Sequence, residues 1–443
     1  MKKIVLNLLL WSCHASAGMA QDSLWTMEEC IRYAVENSAA VKKQMHENDT
    51  YKAAFHSAAA AFFPSLSTSV SAQYNFGRAI DPETNTYVNT TTFNNYYGLS
   101  TSLPVFNGGQ IVNQFRLAKS ARQSGMNDLQ KIKDDLALNT MEAFVNVVYY
   151  RGTVRFAKEK LEESHRTLYK IRRQEELGIK GRADVAQVEA QVAGDDYNLT
   201  HWQNTYNTAL LKLKDYMNYP YEEELQPDTT ISGNEYIRMN ESVADIYDYA
   251  KETNPAALQA AYQLKASRLT HLIQKGALLP SISFSAGINT SYYENLKSET
   301  PPSSFNSQFK NNRGEYFSFS LNIPLFNRLT NVREVRRARN NVRIAEEQRT
   351  EVLRQLQTAI ELSVLERDGY AKESIQMEKK LESDRIAYEL TVRKFEEGLM
   401  SPIDLQTSAN ALIESKANLL QRQLMYLLKC KQVDYYKGVP FVR

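Results

Sequence analysis

The sequence is built from two copies of one long unit. The segment TMEECIRYAVENSAA beginning at Thr26 matches SVADIYDYAKETNPA beginning at Ser242, and their positions differ by 216 (26 to 242). Three later pairs keep the same order at offsets of 216 to 220: FPSLS at 63 with LPSIS at 279, LPVFN at 103 with IPLFN at 323, and LGIKGRADV at 177 with EGLMSPIDL at 397. Solenoid repeats span only about 20 to 50 residues, so this period predicts one large duplicated element with internal pseudosymmetry.

The duplication divides the chain into segments. We expect a first repeat over 21–217 and a second over 241–436, each running helix, strand, loop, strand, very long helix, tight turn and helix. Residues 218–240 contain Pro220, Pro227 and several acidic residues, which interrupt the helical pattern and indicate an equatorial linker between the repeats. Residues 437–443 form a C-terminal tail.

Residues 1–20 have the pattern of a secretory signal peptide. A basic start is followed by the apolar run Ile4–Trp11 and by small residues before a cleavage site after Ala20. Lipidation at Cys13 is an alternative, but the bulky Trp11 fits poorly with the small residues of a lipoprotein cleavage site. The pattern therefore predicts an exported protein.

Composition argues against several classes of function. The 53 Lys and Arg residues nearly balance the 51 Asp and Glu residues, so a net charge of +2 gives no general attraction to nucleic acid. The six histidines are scattered, and no zinc-protease, nucleophile-elbow or phosphate-loop motif is present. Cys30 and Cys430 lie in helical patterns and indicate neither a disulfide framework nor a zinc site. We therefore expect that the protein is not an enzyme and that it has no cofactor and no metal site.

Four segments alternate between apolar and polar residues, at about 65–74, 96–103, 281–291 and 316–323. A period of two gives each strand one apolar face and one face of small hydroxyl residues, for example Leu66 and Val70 against Ser67. Such strands more commonly form hairpins in soluble proteins, where their apolar face packs on an apolar surface. Here the hydroxyl-rich face instead favours the wall of a membrane barrel around a water-filled lumen.

Aromatic residues at both ends of these strands support the barrel, because they resemble the two interfacial girdles of membrane barrels. The smallest single-chain barrels need about eight strands, so four strands require several chains to share one barrel. This argument leaves the number of chains open. The aromatic residues are Tyr74, Phe76, Tyr96, Tyr97, Tyr292, Tyr293, Tyr316 and Phe317 at the loop side and Phe62, Phe63, Phe106 and Phe326 at the other end.

Two segments predict very long helices. From Asn107 to about Glu176, and from Asn327 to about Glu397, there is no proline, and apolar residues recur every three or four positions. Roughly seventy residues at about 1.5 Å each span on the order of 100 Å. Many of the residues in these apolar stripes are small, which favours close packing of many helices. A plain antiparallel hairpin is the alternative.

The duplicated unit, its strand-edge motifs and its two glycine turns together resemble the TolC-type outer-membrane efflux proteins, over about residues 22–436. The resemblance implies a homotrimer that shares a twelve-stranded transmembrane barrel, in contact with outer-membrane lipid, and a periplasmic tunnel of twelve helices. It also implies a passive exit duct of a tripartite efflux or type I secretion system, which works with a periplasmic adaptor protein and an inner-membrane transporter.

The same resemblance assigns roles to residues at the two turns. Asp404 matches a position that lines the closed pore constriction, and Asp184 matches one that belongs to the gating contacts. Met400 stands where the family pattern has an arginine whose salt bridge holds the gate closed, so we expect the gate to be held less firmly. Thr407 stands where the pattern has a second acidic residue, so we expect weaker cation selectivity. The residues implied as adaptor contacts are Gly178, Ile179, Gly398 and Leu399.

Local physical chemistry offers a second role, helix capping, for Asp404 and likewise for Asp184. Ser401, Pro402 and Asp404 together form a helix-start pattern, with a serine cap, proline at the first helical position and an acid at the positive end of the helix dipole. Both roles are compatible.

A structural or adhesive coiled-coil surface protein is the alternative function, in which the loops 75–95 and 293–315 would bind a partner. A duct is favoured because a spacer needs no amphipathic strands.

Overall fold

A computed structural model describes residues 24–80, 85–230, 241–298 and 301–441. The chain is mainly helical with a small strand part, which confirms the expected fold class. The predicted signal peptide and part of the predicted linker, residues 231–240, lie outside the described residues. None of the described helices combines the length and the apolar character that a membrane crossing requires.

The elements follow one order twice. The first set is α1 (Met27–Asn37), α2 (Ala39–Ala60), β1 (Ser65–Ile80), β2 (Tyr87–Asn107), α3 (Gln110–Glu176) and α4 (Arg182–Met217). The second set is α5 (Val243–Thr253), α6 (Pro255–Gly276), β3 (Ser281–Asn295), α7 (Phe305–Asn311), β4 (Gly314–Asn322), α8 (Thr330–Glu396) and α9 (Pro402–Tyr436).

Helix lengths agree between the two sets. The helices α1 and α5 have 11 residues each, α2 and α6 have 22, and α3 and α8 have 67. Each set therefore begins with two helices, where the sequence predicted one. Ser38 and Asn254 separate them in extended backbone, and each side chain caps the following helix. In the second set, Pro255 also disfavours helical backbone at Asn254.

The long helices pack as two antiparallel hairpins, α3 with α4 and α8 with α9. Nearer the sheet, α3 contacts α2 and α6, and α6 contacts α8, so that these four helices lie side by side. The largest buried cluster lies midway along α3, where Phe144 and Val147 pack against Leu213 and Met217 of α4 and Cys30 of α1. A matching cluster joins α5, α8 and α9.

The described part of the linker packs beside this first cluster. Trp25 N–H donates to the Gln226 carbonyl oxygen at 2.8 Å, and the Trp25 carbonyl oxygen accepts from Asp228 N–H at 2.8 Å. The Trp25 ring meets the rings of Tyr33 and Tyr219 edge-on, at 5.4 and 5.6 Å between centroids. These contacts tie the chain just before α1 to the segment after α4.

The four strands form one antiparallel sheet in the order β1-β2-β3-β4. The register aligns apolar residues across strands, with Val70 opposite Tyr97 and Phe284 opposite Phe319. Alternate residues form the opposite face, where Ser67 and Ser100 hydroxyls lie 3.0 Å apart. Both faces of β1 are exposed in the single chain.

The strands are longer than the sequence predicted, above all β1 and β2, and one loop contains a helix. Residues 75–95, which we expected to be a loop, mostly extend β1 to Ile80 and start β2 at Tyr87. Threonines 90–92 favour strand, and pairing with β1 on one side and β3 on the other outweighs the low strand preference of the asparagines. The expected loop 293–315 contains helix α7.

Candidate functional site

The hairpins α3–α4 and α8–α9 end in two turns of the same construction. After α3, Gly178 adopts a φ of 73°, Gly178 N–H donates to Glu175 O at 2.8 Å, and Ile179 N–H donates to Gln174 O at 2.8 Å. After α8, Gly398 has a φ of 77°, and its N–H and that of Leu399 donate to the corresponding carbonyls at 3.0 and 2.8 Å. This pattern is the Schellman motif, which needs a residue in the left-handed region and therefore favours glycine.

Apolar side chains at both turns are exposed. Leu177, Ile179 and Leu399 are 75%, 66% and 71% exposed, although the Schellman motif commonly packs such a residue back onto its own helix. Around Gly178 and Gly398, no atom lies within 4 Å of an added Cβ. The turns therefore present an apolar surface that no described part of the chain covers.

Each following helix starts with an acid in its first turn. In α9, Asp404 Oδ2 accepts from Ser401 N–H at 3.0 Å and from Ser401 Oγ at 2.7 Å, while Ser401 Oγ accepts from Asp404 N–H at 3.3 Å. These hydrogen bonds, from the Ser401 hydroxyl first and its amide second, lower the pKa of Asp404 from its usual value. In α4, Asp184 accepts from Gly181 N–H at 3.2 Å, but glycine has no side chain to return the contact. The expected capping role is therefore observed for both acids.

The remaining residues expected at the constriction also lie at the second turn. Met400 is half-buried just before α9, and Thr407 is exposed one helical turn beyond Asp404 on the same face. Thr407 Oγ1 donates to its own helix, at Ile403 O, over 2.9 Å.

The two hairpins adjoin each other near the turns. Lys170 of α3 pairs with Glu396 of α8 at 2.7 Å. Phe395 packs on the cluster formed by Leu168 and Ile171 of α3 with Val185 and Val188 of α4. One chain therefore holds the ends of its two hairpins together.

Above the first turn lies a buried polar network that the sequence did not reveal. The Asp195 carboxylate of α4 is only 1% exposed and accepts from Ser164 Oγ at 2.6 Å and from Gln191 Nε2 at 2.7 Å. Lys160 Nζ lies 2.8 Å from the other Asp195 oxygen and also donates to Asn410 of α9. We call Lys160, Ser164 and Asp195 the first lock, because they join α3 to α4.

The second hairpin contains the same three residue types with two of them exchanged. Lys380 Nζ lies 2.6 Å from Asp384 Oδ2 and 2.7 Å from Ser415 Oγ, and Ser415 donates to Asp384. Hydrogen bonds from Lys380 and then Ser415 lower the pKa of Asp384. We call Lys380, Asp384 and Ser415 the second lock.

The offset of 220 aligns the two locks residue by residue: 160 with 380, 164 with 384 and 195 with 415. Serine on the long helix and aspartate on the short one in the first lock become aspartate and serine in the second. A residue-by-residue alignment of the two repeats hides this exchange, because it places Ser164 opposite Asp384 and Asp195 opposite Ser415. A search for complementary exchanges between the repeats could have found the locks.

The sequence matches the model of the outer membrane efflux protein family over residues 30–218 and 246–433, which covers both repeats. The chain belongs to this family. It is therefore an efflux channel protein of the outer membrane, with its helices extending into the periplasm. The family consists of channel proteins rather than enzymes.

Solved structures share the fold at low sequence identity. The CmeC outer membrane channel of Campylobacter jejuni has a TM-score of 0.82 at 15% identity, over 93% of this chain and 85% of that chain. CusC has a TM-score of 0.80 at 15% identity, over 95% of each chain. VceC, an outer membrane protein of Vibrio cholerae, has a TM-score of 0.80 at 14% identity, over 94% of this chain and 96% of that chain. No curated protein matches the sequence significantly.

Proposed function

We propose that three copies of this chain form a passive exit duct through the outer membrane. The observation that carries this proposal is the four-stranded sheet, in which β1 and β4 are edge strands without an outer neighbour among the described residues. A strand edge in a membrane must be paired, because no water is there to bond its N–H and C=O groups. Three chains joined β4 to β1 supply twelve strands and leave no edge.

The apolar face of this sheet fits lipid. Leu66, Val70, Phe317, Phe319 and Leu321 are all exposed in the single chain, although they would be buried in an ordinary soluble sheet. The serine and threonine residues of the opposite face suit a water-filled lumen. In the proposed trimer the first face contacts outer-membrane lipid, and four helices from each chain continue the wall as a tunnel of twelve.

The two turns are the proposed docking surface for a periplasmic adaptor protein. Gly178, Ile179, Gly398 and Leu399 lie at the hairpin ends, where exposed apolar side chains surround the glycines. Through this adaptor, the duct would serve an inner-membrane transporter in a tripartite efflux or type I secretion system. Channels of this family act in such assemblies.

The same hairpin ends are the proposed pore constriction, formed by Asp184, Met400, Asp404 and Thr407. Three chains would bring three copies of each acid around one axis. The lowered pKa of Asp404 keeps its carboxylate charged at neutral pH, which favours cations at the constriction. With Met400 and Thr407 beside it, this ring has neither a locking arginine nor a second acid.

Interchain cross-linking tests the closure of the barrel. We would combine a single cysteine in β1, at Ser65, Ser67 or Ser69 in turn, with Ser320→Cys in β4. These strands are separated by β2 and β3 within a chain, so a disulfide between them joins two chains. We expect one of the combinations to give covalent species that stop at three chains.

The matched control pairs Ser100→Cys in the interior strand β2 with Ser320→Cys and should give no cross-link. Covalent species that stop at two chains or continue beyond three contradict the trimer. No cross-link in any β1 combination contradicts the shared barrel and favours the coiled-coil spacer.

A further inference from the structure

Helix α7 lies on the apolar face of the sheet, near the loop ends of the strands. The rings of Phe305 and Phe309 lie 6.0 and 5.3 Å from the ring of Tyr97 in β2, and Phe305 lies 5.5 Å from Tyr292 in β3. By the strand register, Tyr97 and Tyr292 share the face of Val70, Leu99 and Ile288. The helix therefore covers the face proposed to meet lipid and leaves the serine face uncovered.

Side chains from α7 and the residue after it fix the helix to the end of β3. The strand β4 begins at Gly314, opposite Asn289, so residues 290–295 of β3 have no partner in β4. Gln308 fills this place, because its amide oxygen accepts from Tyr293 N–H at 2.9 Å and its Nε2 donates to Tyr293 O at 2.9 Å. Asn312 donates to Ser291 O at 2.9 Å, and Thr290 Oγ1 donates to Phe309 O at 2.7 Å. The helix thus satisfies part of an open strand edge and has a defined position.

Aromatic rings continue from α7 across three strands. Tyr74 of β1 lies 4.7 Å from Phe93 of β2, Phe93 lies 6.3 Å from Tyr292 of β3, and Tyr292 meets Phe305. We call Tyr74, Phe93, Tyr97, Tyr292, Phe305 and Phe309 the aromatic collar.

The collar lies where the character of this face changes. Toward the periplasm the face is apolar and exposed, at residues such as Phe319 and Phe317. At the loop side of the collar the same face carries charged residues, Arg78 of β1 and Glu294 of β3, and Glu294 accepts a hydrogen bond from the Tyr292 hydroxyl at 3.0 Å. Phe305 and Phe309 remain 47% and 41% exposed, so their rings are available to a further contact. A belt of rings between an apolar band and charged residues is typical of a membrane–water interface.

We propose that α7 and the aromatic collar lie in the outer leaflet at the boundary between lipid headgroups and acyl chains. The partner is lipid, because the collar adjoins the apolar band on the same face of the sheet. Amphipathic helices with aromatic residues on their apolar face bind this boundary. The inference rests on the proposed function, in which the apolar face of the sheet meets lipid. It adds a membrane-bound helix on the outside of the channel that sets how far the barrel emerges.

Depth-dependent fluorescence quenching tests the position of α7. We would place Phe309→Trp, Phe319→Trp and Tyr87→Trp in separate full-length proteins and reconstitute each in phosphatidylcholine vesicles. The lipids carry bromine either near the headgroup or near the chain end. Trp25 and Trp202 lie in the helical part of the protein, so the parent protein gives the baseline.

Phe309→Trp should lose emission with headgroup-proximal bromine and much less with bromine near the chain end. Phe319→Trp, in the apolar band, should be quenched more strongly by the deeper bromine. Tyr87→Trp, at the start of β2, should be quenched by neither. If Phe319→Trp is quenched but Phe309→Trp behaves like Tyr87→Trp, the position of α7 is wrong and the barrel stands. If neither Phe319→Trp nor Phe309→Trp is quenched, the lipid-facing barrel itself is wrong.

Discussion

Replacing Asp195 with serine should open the first hairpin locally, and a second substitution should close it again. The carboxylate is almost fully buried and is bonded to Lys160, Ser164 and Gln191. Its removal leaves Lys160, which is only 15% exposed, without its acid partner. Removing one partner of a buried ion pair lowers the free energy of unfolding by about 3 kcal/mol, at the low end of the measured range.

The second lock shows how to restore the contact. Adding Ser164→Asp to Asp195→Ser places aspartate on the long helix and serine on the short one, as at Asp384 and Ser415. The new acid would lie four residues from Lys160, the same spacing as between Lys380 and Asp384. Ser164→Asp alone should also destabilise the hairpin, because it places two carboxylates side by side. The double variant should therefore be more stable than either single one, which a double-mutant cycle measures.

Amide hydrogen exchange is the appropriate assay, because it reports local opening of one hairpin in an intact oligomer. A loss of about 3 kcal/mol corresponds to roughly a hundredfold faster exchange in α4 around residue 195, since about 1.4 kcal/mol is a factor of ten. Asp196→Ser is the matched control, because Asp196 is the exposed neighbour and should change little. Exchange in the double variant as fast as in Asp195→Ser would refute the equivalence of the two locks.

Three further predictions concern the turns and the sheet. Gly398→Ala should lower the free energy of unfolding by about 1–2 kcal/mol, because alanine is strained in the left-handed backbone conformation of Gly398. A steric clash adds nothing, since no atom lies within 4 Å of the added Cβ. Gly398→Trp should in addition block adaptor docking and efflux while the trimer persists on native gels, and normal efflux would contradict the docking surface. The start of α9 should be most stable above the unfolded pKa of aspartate, about 3.9, because the folded pKa of Asp404 is lower. That stability should disappear as the pH falls through the folded pKa. Ser401→Ala should weaken this dependence in hydrogen exchange measured across the same range, because it removes the hydroxyl contact and keeps the amide contact to Asp404. Finally, Phe319→Arg on the apolar face should cost about 2–4 kcal/mol in lipid, whereas Ser318→Arg on the opposite face should be tolerated, as urea titration in vesicles would show. Equal losses of stability in the two variants would mean that the two faces of the sheet are assigned wrongly.

Periodic and repeated features of this chain could be predicted from the sequence. The alternation of Leu66 and Val70 with serines predicted a strand, and the offset between the copies predicted two equivalent turns at Gly178 and Gly398. Both signals are local or come from a direct comparison of aligned residues. The overall class, mainly helical with a small sheet, follows from them, and the structure confirms it.

The missed features depend on contacts between distant parts of the chain. The extension of β2 back to Tyr87 relies on pairing with β1, since asparagine and threonine residues give a weak strand signal there. Helix α7 is held by Gln308 at an open strand edge, which is visible only once β4 is known to be short. The first lock joins residues 31 positions apart, at Ser164 and Asp195, and neither position suggests the other.

Planar-bilayer conductance of the purified, detergent-extracted oligomer tests the duct most directly. The wild-type protein is compared with Asp404→Asn, which retains a hydrogen-bond acceptor for Ser401, and with Asp196→Asn as a remote control. The duct account predicts a small, cation-preferring conductance in the wild type and in the control, and a conductance that increases or loses its cation preference in Asp404→Asn. No conductance in any of the three proteins would contradict the account.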